Sequence, residues 1–300
     1  MAIKNFEELI KKIKKNQRPK KVVVVCADDR NTLEAIKKAE KNGIVDSVLI
    51  GNKNKIKKLL NEISFEKEEE SIIDSESDIY AASKGVEIIR EQRAEFMMKG
   101  KIQTADLLKA VVDKDKGLGR GRIMSHISIL EVPTYHKILA VSDGGVVISP
   151  TLAEKKEILE NAVEVFLSLG YENPKVAVLA AIEKVNPKMK ETVEARALKN
   201  MNQRGEVENC LVEGPISYDL AISTESANIK GYTSLVAGDA DILLVPDITS
   251  GNILSKSLVY SGKSKMAGFI TGAKVPIALT SRGASSEQKY LSLVICSAMF

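Results

Sequence analysis

The segment ALTSRGASSEQK (278–289) sets a hydroxyl and a guanidinium side by side, Ser281 and Arg282, where a strand-like run gives way to a helix start. A guanidinium is a planar, permanently charged fork that matches phosphate oxygens. Ser285, Ser286, Glu287 and Gln288 fit a capping box. In it Ser285 bonds the amide of Gln288, and the Gln288 side chain reaches back. A capped helix start also directs N–H groups and the positive end of its dipole outward, so the same residues suit an anion. Each has a plainer task as well: a helix cap for Ser285 and Gln288, a structural salt bridge for Arg282.

Other stretches carry polar side chains at strand ends. In VPDITSGNILSK (245–256) a strand ends at Pro246 and Asp247, and Gly251 with Asn252 reads as a turn. Asn252 and Lys256 lie four apart, on one face of a helix that begins at the glycine; a solvated lysine is the plain alternative. VEGPISYDLA (212–221) repeats the pattern with Asp219 one turn in. GLGRGR (117–122) follows a helix and opens none, so it reads as a turn and not a dinucleotide loop; Arg120 and Arg122 remain candidate anion ligands. Ser125 and His126 are neighbours on a strand and point to opposite faces, so they do not form a nucleophile–base pair. No G-x-S-x-G elbow exists. Either residue alone could still line a cleft.

The elements that must position these residues alternate strand and helix from end to end. KVVVVCA (21–27) is a β-branched run suited to a buried parallel strand. Strands follow at 46–51, 71–74 and 95–100, with helices from Asn31, over 78–91 and over 104–115. RIMSHISILEV (122–132) and KILAVSD (137–143) read as an antiparallel pair joined at Pro133, and GGVVISP (144–150) as a short strand. Thr151 and Glu154 form a capping box that opens a helix to Leu169. Strands at 175–181, 209–214, 241–247, 266–272 and 276–281 alternate with helices from Lys188, from Ser217, near 253–260 and from Ser285. This is an α/β chain with a mostly parallel sheet system. In such sheets ligands bind beyond the carboxyl ends of strands. The residues there are Asp28 and Asp29, Lys99 and Gly100, Asp143, Asp247, and Ser281 with Arg282.

Bulk properties narrow the classes. The 300 residues are 44% hydrophobic and 28% charged, with a formal charge of +4. That is an ordinary soluble composition. It does not suggest a nucleic-acid binder, and no aromatic residues interleave with the lysines. The three cysteines, Cys26, Cys210 and Cys296, are far apart and read as reduced cytosolic thiols. Only His126 and His136 are present, which argues against a histidine metal site. The lysine-rich start has no apolar region behind it, so no signal peptide is expected. No apolar run approaches the ~20 residues that span a membrane.

Several stretches together resemble the phosphate acetyl/butyryltransferase family: KGKIQTADLLKAV (99–111), RIMSHISILEVP (122–133), AVSDGGVVISP (140–150), NPKVAVLAAIEKVNPKM (173–189), VEGPISYDLA (212–221), VAGDADILLVPDITSGNILSK (236–256) and PIALTSRGAS (276–285). HISILEVP and AAIEKVNPKM stand closer to phosphate butyryltransferases. The resemblance implies reversible exchange of acyl-CoA and phosphate for acyl phosphate and CoA, by direct transfer, with a butyryl or other short-chain acyl group. It implies no metal and no permanently bound cofactor, coenzyme A being substrate and product, and a cytoplasmic homodimer.

The implied fold is that of isocitrate and isopropylmalate dehydrogenases: two α/β domains, here 1–150 plus 271–300 and 151–270, with the active site in the cleft between them. Ser281 and Arg282 match the family's catalytic pair. Lys99, Gly100, Thr104, Ser125, His126, Asp143, Asp247, Asn252, Lys256 and Ser285 are the expected substrate-binding residues. The chain departs from the family pattern in carrying Ala284 and Gln288 where members can have acids, which leaves Glu287 as the nearby carboxylate. Three alternatives stand beside this expectation. One is acetyl transfer in the same frame. Another is a catalytically weak homologue that binds CoA or acyl phosphate. The third is a metal-dependent decarboxylating dehydrogenase, against which no clustered aspartates are found.

Overall fold

A computed structural model describes residues 2–16, 18–281 and 283–300, with Asn16 as backbone only. Arg282 therefore lies outside the described residues. In chain order the elements are α1 (Phe6–Asn16), β1 (Lys20–Val25), α2 (Arg30–Lys41), β2 (Val45–Gly51), α3 (Lys53–Glu62), β3 (Ile72–Asp74), α4 (Asp78–Arg90), β4 (Phe96–Lys99) and α5 (Thr104–Val111). Then come β5 (Ser125–Glu131), β6 (Ile138–Ser142), α6 (Leu152–Ser168), β7 (Lys175–Leu179), α7 (Lys190–Gln203), β8 (Leu211–Ile216), α8 (Tyr218–Ile222), α9 (Thr224–Ile229), β9 (Ile242–Leu244) and α10 (Ile248–Tyr260). The chain ends with β10 (Lys265–Thr271), β11 (Ile277–Ala278) and α11 (Ser286–Ala298). No helix among the described residues is long and apolar enough to cross a membrane.

The chain divides into two compact units, one of Glu7–Arg122 with Ala267–Phe300 and the other of Met1–Phe6 with Ile123–Met266. Residues 123–150, expected with the first domain, group with 151–266 instead. The reason is strand pairing: β6 runs parallel to β9, with Ala140 opposite Ile242 and Ser142 opposite Leu244. Residues 267–270 go the other way, because β10 pairs with β11 through Phe269 and Ala278.

In the first unit the strand order is β3-β2-β1-β4-β11-β10. β1 sits between β2 and β4, parallel to both. Its Val22, Val23, Val24 and Val25 are fully buried, as a strand covered on both faces requires. β11 continues the parallel set beside β4, with Ile277 opposite Met97 and Ala278 opposite Met98. α11 packs on α2 through a buried lysine: Lys289 Nζ donates to Asp29 at 3.0 Å and to Thr32 at 2.8 Å.

In the second unit the order is β5-β6-β9-β7-β8, with β5 antiparallel to β6 and the others parallel. Leu139, Val141, Ala177, Ile216 and Leu243 meet in its core. The capping box of α6 forms as expected: Thr151 accepts from the amide of Glu154, whose carboxylate accepts from the amide of Thr151.

Two local expectations need correction. Residues 144–150 form no strand but an irregular loop, because the Asp143 carboxylate collects the amides of Gly145, Val146 and Val147. Gly251 and Asn252 are not a turn before a helix. The helix α10 starts earlier, at Ile248, capped by Asp247, and runs through both.

Candidate active site

In the first unit, β4 and β11 run side by side in the same direction, so Lys99 and Gly100 leave the sheet beside the segment that leads to Ser281. Gly100 is there for space. A Cβ on it would sit 2.1 Å from the carbonyl oxygen of Cys26, an impossible contact. Its amide also donates to the Val25 carbonyl at 2.8 Å, which locks β4 to β1 at this edge. Lys99 is buried at 4% exposure, and its Nζ donates to the Gly100 carbonyl at 3.3 Å among other contacts. Its charge helps to hold down the neighbouring Cys26 thiol pKa, but burial and Asp78 win and push that thiol up to about 12. Cys26 is thus an inert thiol at neutral pH. Thr104 is the first residue of α5, half-buried.

Ser281 is exposed, and Ser285 caps α11 by accepting from the amide of Gln288 at 3.3 Å. The reach of the Gln288 side chain back to Ser285 is not among the bonds of the described residues, so half of the expected box is present. Asn31 donates to the carbonyl of Ala284 at 3.3 Å and ties this loop to α2. Glu287 turns to Lys38 at 2.5 Å and is half-exposed. Arg282 was expected here but lies outside the described residues.

In the second unit, the carboxyl ends of β6 and β9 and the start of β5 share one edge, since Ile127 pairs with Ser142 and Ser142 with Leu244. Asp143, at 3% exposure, spends both oxygens on backbone: Oδ1 on Gly145 and Val146, Oδ2 on Val147 and on His126, at 2.6 to 3.2 Å. It organises the edge. Asn252 donates to the carbonyl of Gly144 at 3.1 Å. Gly144 and Gly251 pack backbone on backbone; a Cβ on Gly251 would lie 2.8 Å from the Asp143 carbonyl and from Gly144 Cα. A Cβ on Gly145 would lie 2.9 Å from His126 Cγ, so the imidazole rests on that glycine. This loop joins His126, Asp143 and Asn252 in one constellation.

Ser125 is fully buried, and its Oγ accepts from Asn161 at 3.1 Å, an internal partner. Asp247 accepts from the amide of Ser250 at 2.9 Å and from its hydroxyl at 2.8 Å. The amide bond of Ser250 leads in holding its pKa below the usual carboxylate range. Lys256 is exposed two turns into α10. The glycine pairing at 144 and 251 and the anchors Asn31 and Lys289 escape sequence reasoning. Their partners lie far off in the chain, and no local motif marks them.

The family model described as "Phosphate acetyl/butaryl transferase" matches residues 5–83 and 78–297. A phosphate butyryltransferase of Clostridium acetobutylicum is 39% identical over 295 residues, covering 98% of each chain. A phosphate acetyltransferase of Thermotoga maritima is 43% identical over 281 residues, covering 94% of this chain and 95% of its own. The crystal structure of a branched-chain phosphotransacylase from Enterococcus faecalis V583 superposes with a TM-score of 0.82 at 34% identity, over 93% of this chain and 98% of that one. A 4-hydroxythreonine-4-phosphate dehydrogenase from Salmonella typhimurium, at 14% identity and a TM-score of 0.59, shares the fold.

Proposed function

Since the chain belongs to the phosphate acetyl/butyryltransferase family, we propose that it exchanges acyl-CoA and phosphate for acyl phosphate and CoA, with butyryl or another short-chain acyl group. The observation that carries the reading is the parallel register of β4 and β11, which brings Lys99, Gly100 and the approach to Ser281 to one sheet edge, beside the capped start of α11. Phosphate is a compact anion, and a helix start with an adjoining hydroxyl and guanidinium suits it. Attack on a thioester carbon builds charge on the carbonyl oxygen, and donors aimed there speed the step. Holding the two substrates together supplies much of the remainder; well-oriented reactions gain about 7–11 kcal/mol this way. In this reading Ser281 and Arg282 grip the phosphate, while Thr104, His126, Asn252 and Lys256 contact CoA or the acyl group. Lys99, Gly100, Ser125, Asp143, Asp247 and Ser285 shape and hold the substrate-binding surfaces.

Transfer is direct, within a ternary complex, by a cytoplasmic homodimer with no permanently bound cofactor. Initial rates against both substrates should then give intersecting reciprocal plots; parallel lines would mean a covalent acyl-enzyme and end the direct-transfer reading. Light scattering checks the dimer. The 43% identity to a phosphate acetyltransferase favours a second reading, acetyl as the preferred group. Thiol release measured across acyl-CoA lengths, with and without phosphate, separates the two. CoA binding without phosphate-dependent release would show a catalytically weak binder instead.

A further inference from the structure

We propose that the groove at the amino edge of the first unit binds a linear aliphatic polycation, a polyamine with ammonium groups spaced along a methylene chain. Every residue of the groove belongs to the unit of Glu7–Arg122 with Ala267–Phe300, and the site stands apart from the acyl-transfer reading.

The groove follows the starts of the parallel strands. It runs from the connection before β3, past Asp46 on β2 and Lys21 on β1, to Glu95 before β4 and Val275 before β11. Its volume is about 1070 Å³, at the upper end of small-molecule sites. Neighbouring strands stand about 4.8 Å apart. β3 and β4 are three steps apart in the sheet, so the groove is about 14 Å long and suits an extended ligand. Lys99 and Gly100 lie at the other end of β4, about 13 Å from Glu95 along the strand.

The floor is apolar: Val48 and Val275 are half-buried there, and Ile89 and Ala94 are buried. Methylene groups laid on such a floor leave water. The polar walls are fixed by internal bonds. Lys67, its side chain 9% exposed, donates to Glu40 at 2.7 Å and to the Ser47 carbonyl at 3.1 Å. Glu40 also accepts from the amide and hydroxyl of Ser47. Glu95 holds Arg18 and the amide of Lys21, and Arg93 pairs with Glu91. These charges are spent within the protein.

The unspent charges decide the ligand. Asp46, Glu66, Glu68 and Glu70 line the groove, exposed, and their carboxylates have no partner among the described residues. The Lys21 ammonium is the one groove cation in the same position among those residues, and offsets one of the four. An anion would be repelled. The described residues hold no cluster of acids arranged for a metal ion, so the negative charge is spread along the groove and calls for a cation spread likewise. The chain as a whole carries +4, so the attraction is local to this groove and is not a property of the whole surface.

The test titrates the full chain with spermidine in a calorimeter, at low salt and at about 0.15 M. One spermidine per chain should bind, more weakly at the higher salt because exposed charges are screened, and it should raise the melting temperature. Putrescine, with fewer ammonium groups, should bind less tightly. The triple variant Glu66→Gln, Glu68→Gln, Glu70→Gln should weaken binding about tenfold and remove the temperature shift. All three side chains are exposed, so the fold is kept, which circular dichroism checks; Asp46→Asn provides a second variant, with a smaller loss expected. Absence of saturable binding, Mg²⁺ displacing spermidine as well as spermidine displaces itself, or unchanged affinity in the triple variant would overturn the assignment. If the triple variant turns a dimer into a monomer in light scattering, the groove belongs to a second copy and the polyamine site is rejected.

Discussion

At the scale of single residues, charge and backbone geometry make separable demands. Arg282→Ala should lower kcat/KM at least tenfold, about 1.4 kcal/mol of transition-state stabilisation, in a thiol-release assay; an unchanged value would remove the anion grip from the proposal. Ser285→Ala should cost about 1 kcal/mol of stability as a lost cap, read as a shift in the urea midpoint. Gln288→Ala should cost less, since no side-chain bond back to Ser285 is found among the described residues. Asp143→Ala removes the acceptor of four amides in a partly exposed loop, with an expected loss of about 1–3 kcal/mol. The cap at Ser285 is legible in the sequence because it is local, serine followed three residues later by the amide it receives. The task of Asp143 is not legible, since one aspartate at a strand end reads equally as a ligand or as a loop organiser.

At the scale of elements, the start of α10 shows where local reading stops. A glycine followed by asparagine reads as a turn by propensity. The helix runs through both because Gly251 must lie against Gly144, where any Cβ would meet backbone at 2.8 Å. Gly251→Ala therefore tests two opposed effects. Helix propensity favours alanine by about 1 kcal/mol, whereas overpacking costs about 1–3 kcal/mol. Two of the clashing atoms are main chain, which cannot rotate away, so a lower melting temperature is expected.

The α6–α7 contact holds a second test. Lys155 and Glu194 pair at 2.6 Å with side chains only 6% and 9% exposed. Lys155→Met should destabilise by about 3 kcal/mol, with Lys190 still reaching the other oxygen of Glu194 at 3.2 Å. Adding Glu194→Leu should restore most of it in urea unfolding, because the uncompensated charge is then gone. The amphipathic periods and caps make most strands and helices readable. A buried cross-helix pair leaves no such period.

At the scale of the whole molecule, acid should unfold the protein through carboxylates in both units. In Asp29, burial raises the pKa, but the Thr32 hydroxyl and Lys289 outweigh it and hold it below the ordinary value. In Asp239, burial is likewise outweighed, by Lys137, Lys175 and His136. A depressed carboxylate contributes stability that is complete above its unfolded value, about 3.9, and is lost as pH falls from there toward its folded value. Burial holds the His126 imidazole below its ordinary value, so the urea midpoint should fall gently as pH drops below about 6.5 and more steeply below pH 4, with a shallower acid drop in Asp239→Asn. An equal drop in that variant would remove Asp239 from the account. The alternation of strands and helices made the α/β class readable from the start, but the unit boundaries were not. Whether 123–150 belongs before or after the boundary depends on which distant strand β6 pairs with, and that is β9.

The last helix completes the unit whose first strand is β1. α11 is buried along most of its length, from Lys289 to Ala298, while Ile123–Met266 forms a compact unit of its own. A ribosome delivers residues in order, so the stretch made in the middle has almost its whole partner set before the stretch made first does. β1 thus has β2, α4 and β4 beside it early, whereas β11 and α11, which complete its unit, follow only after 123–266 has been made.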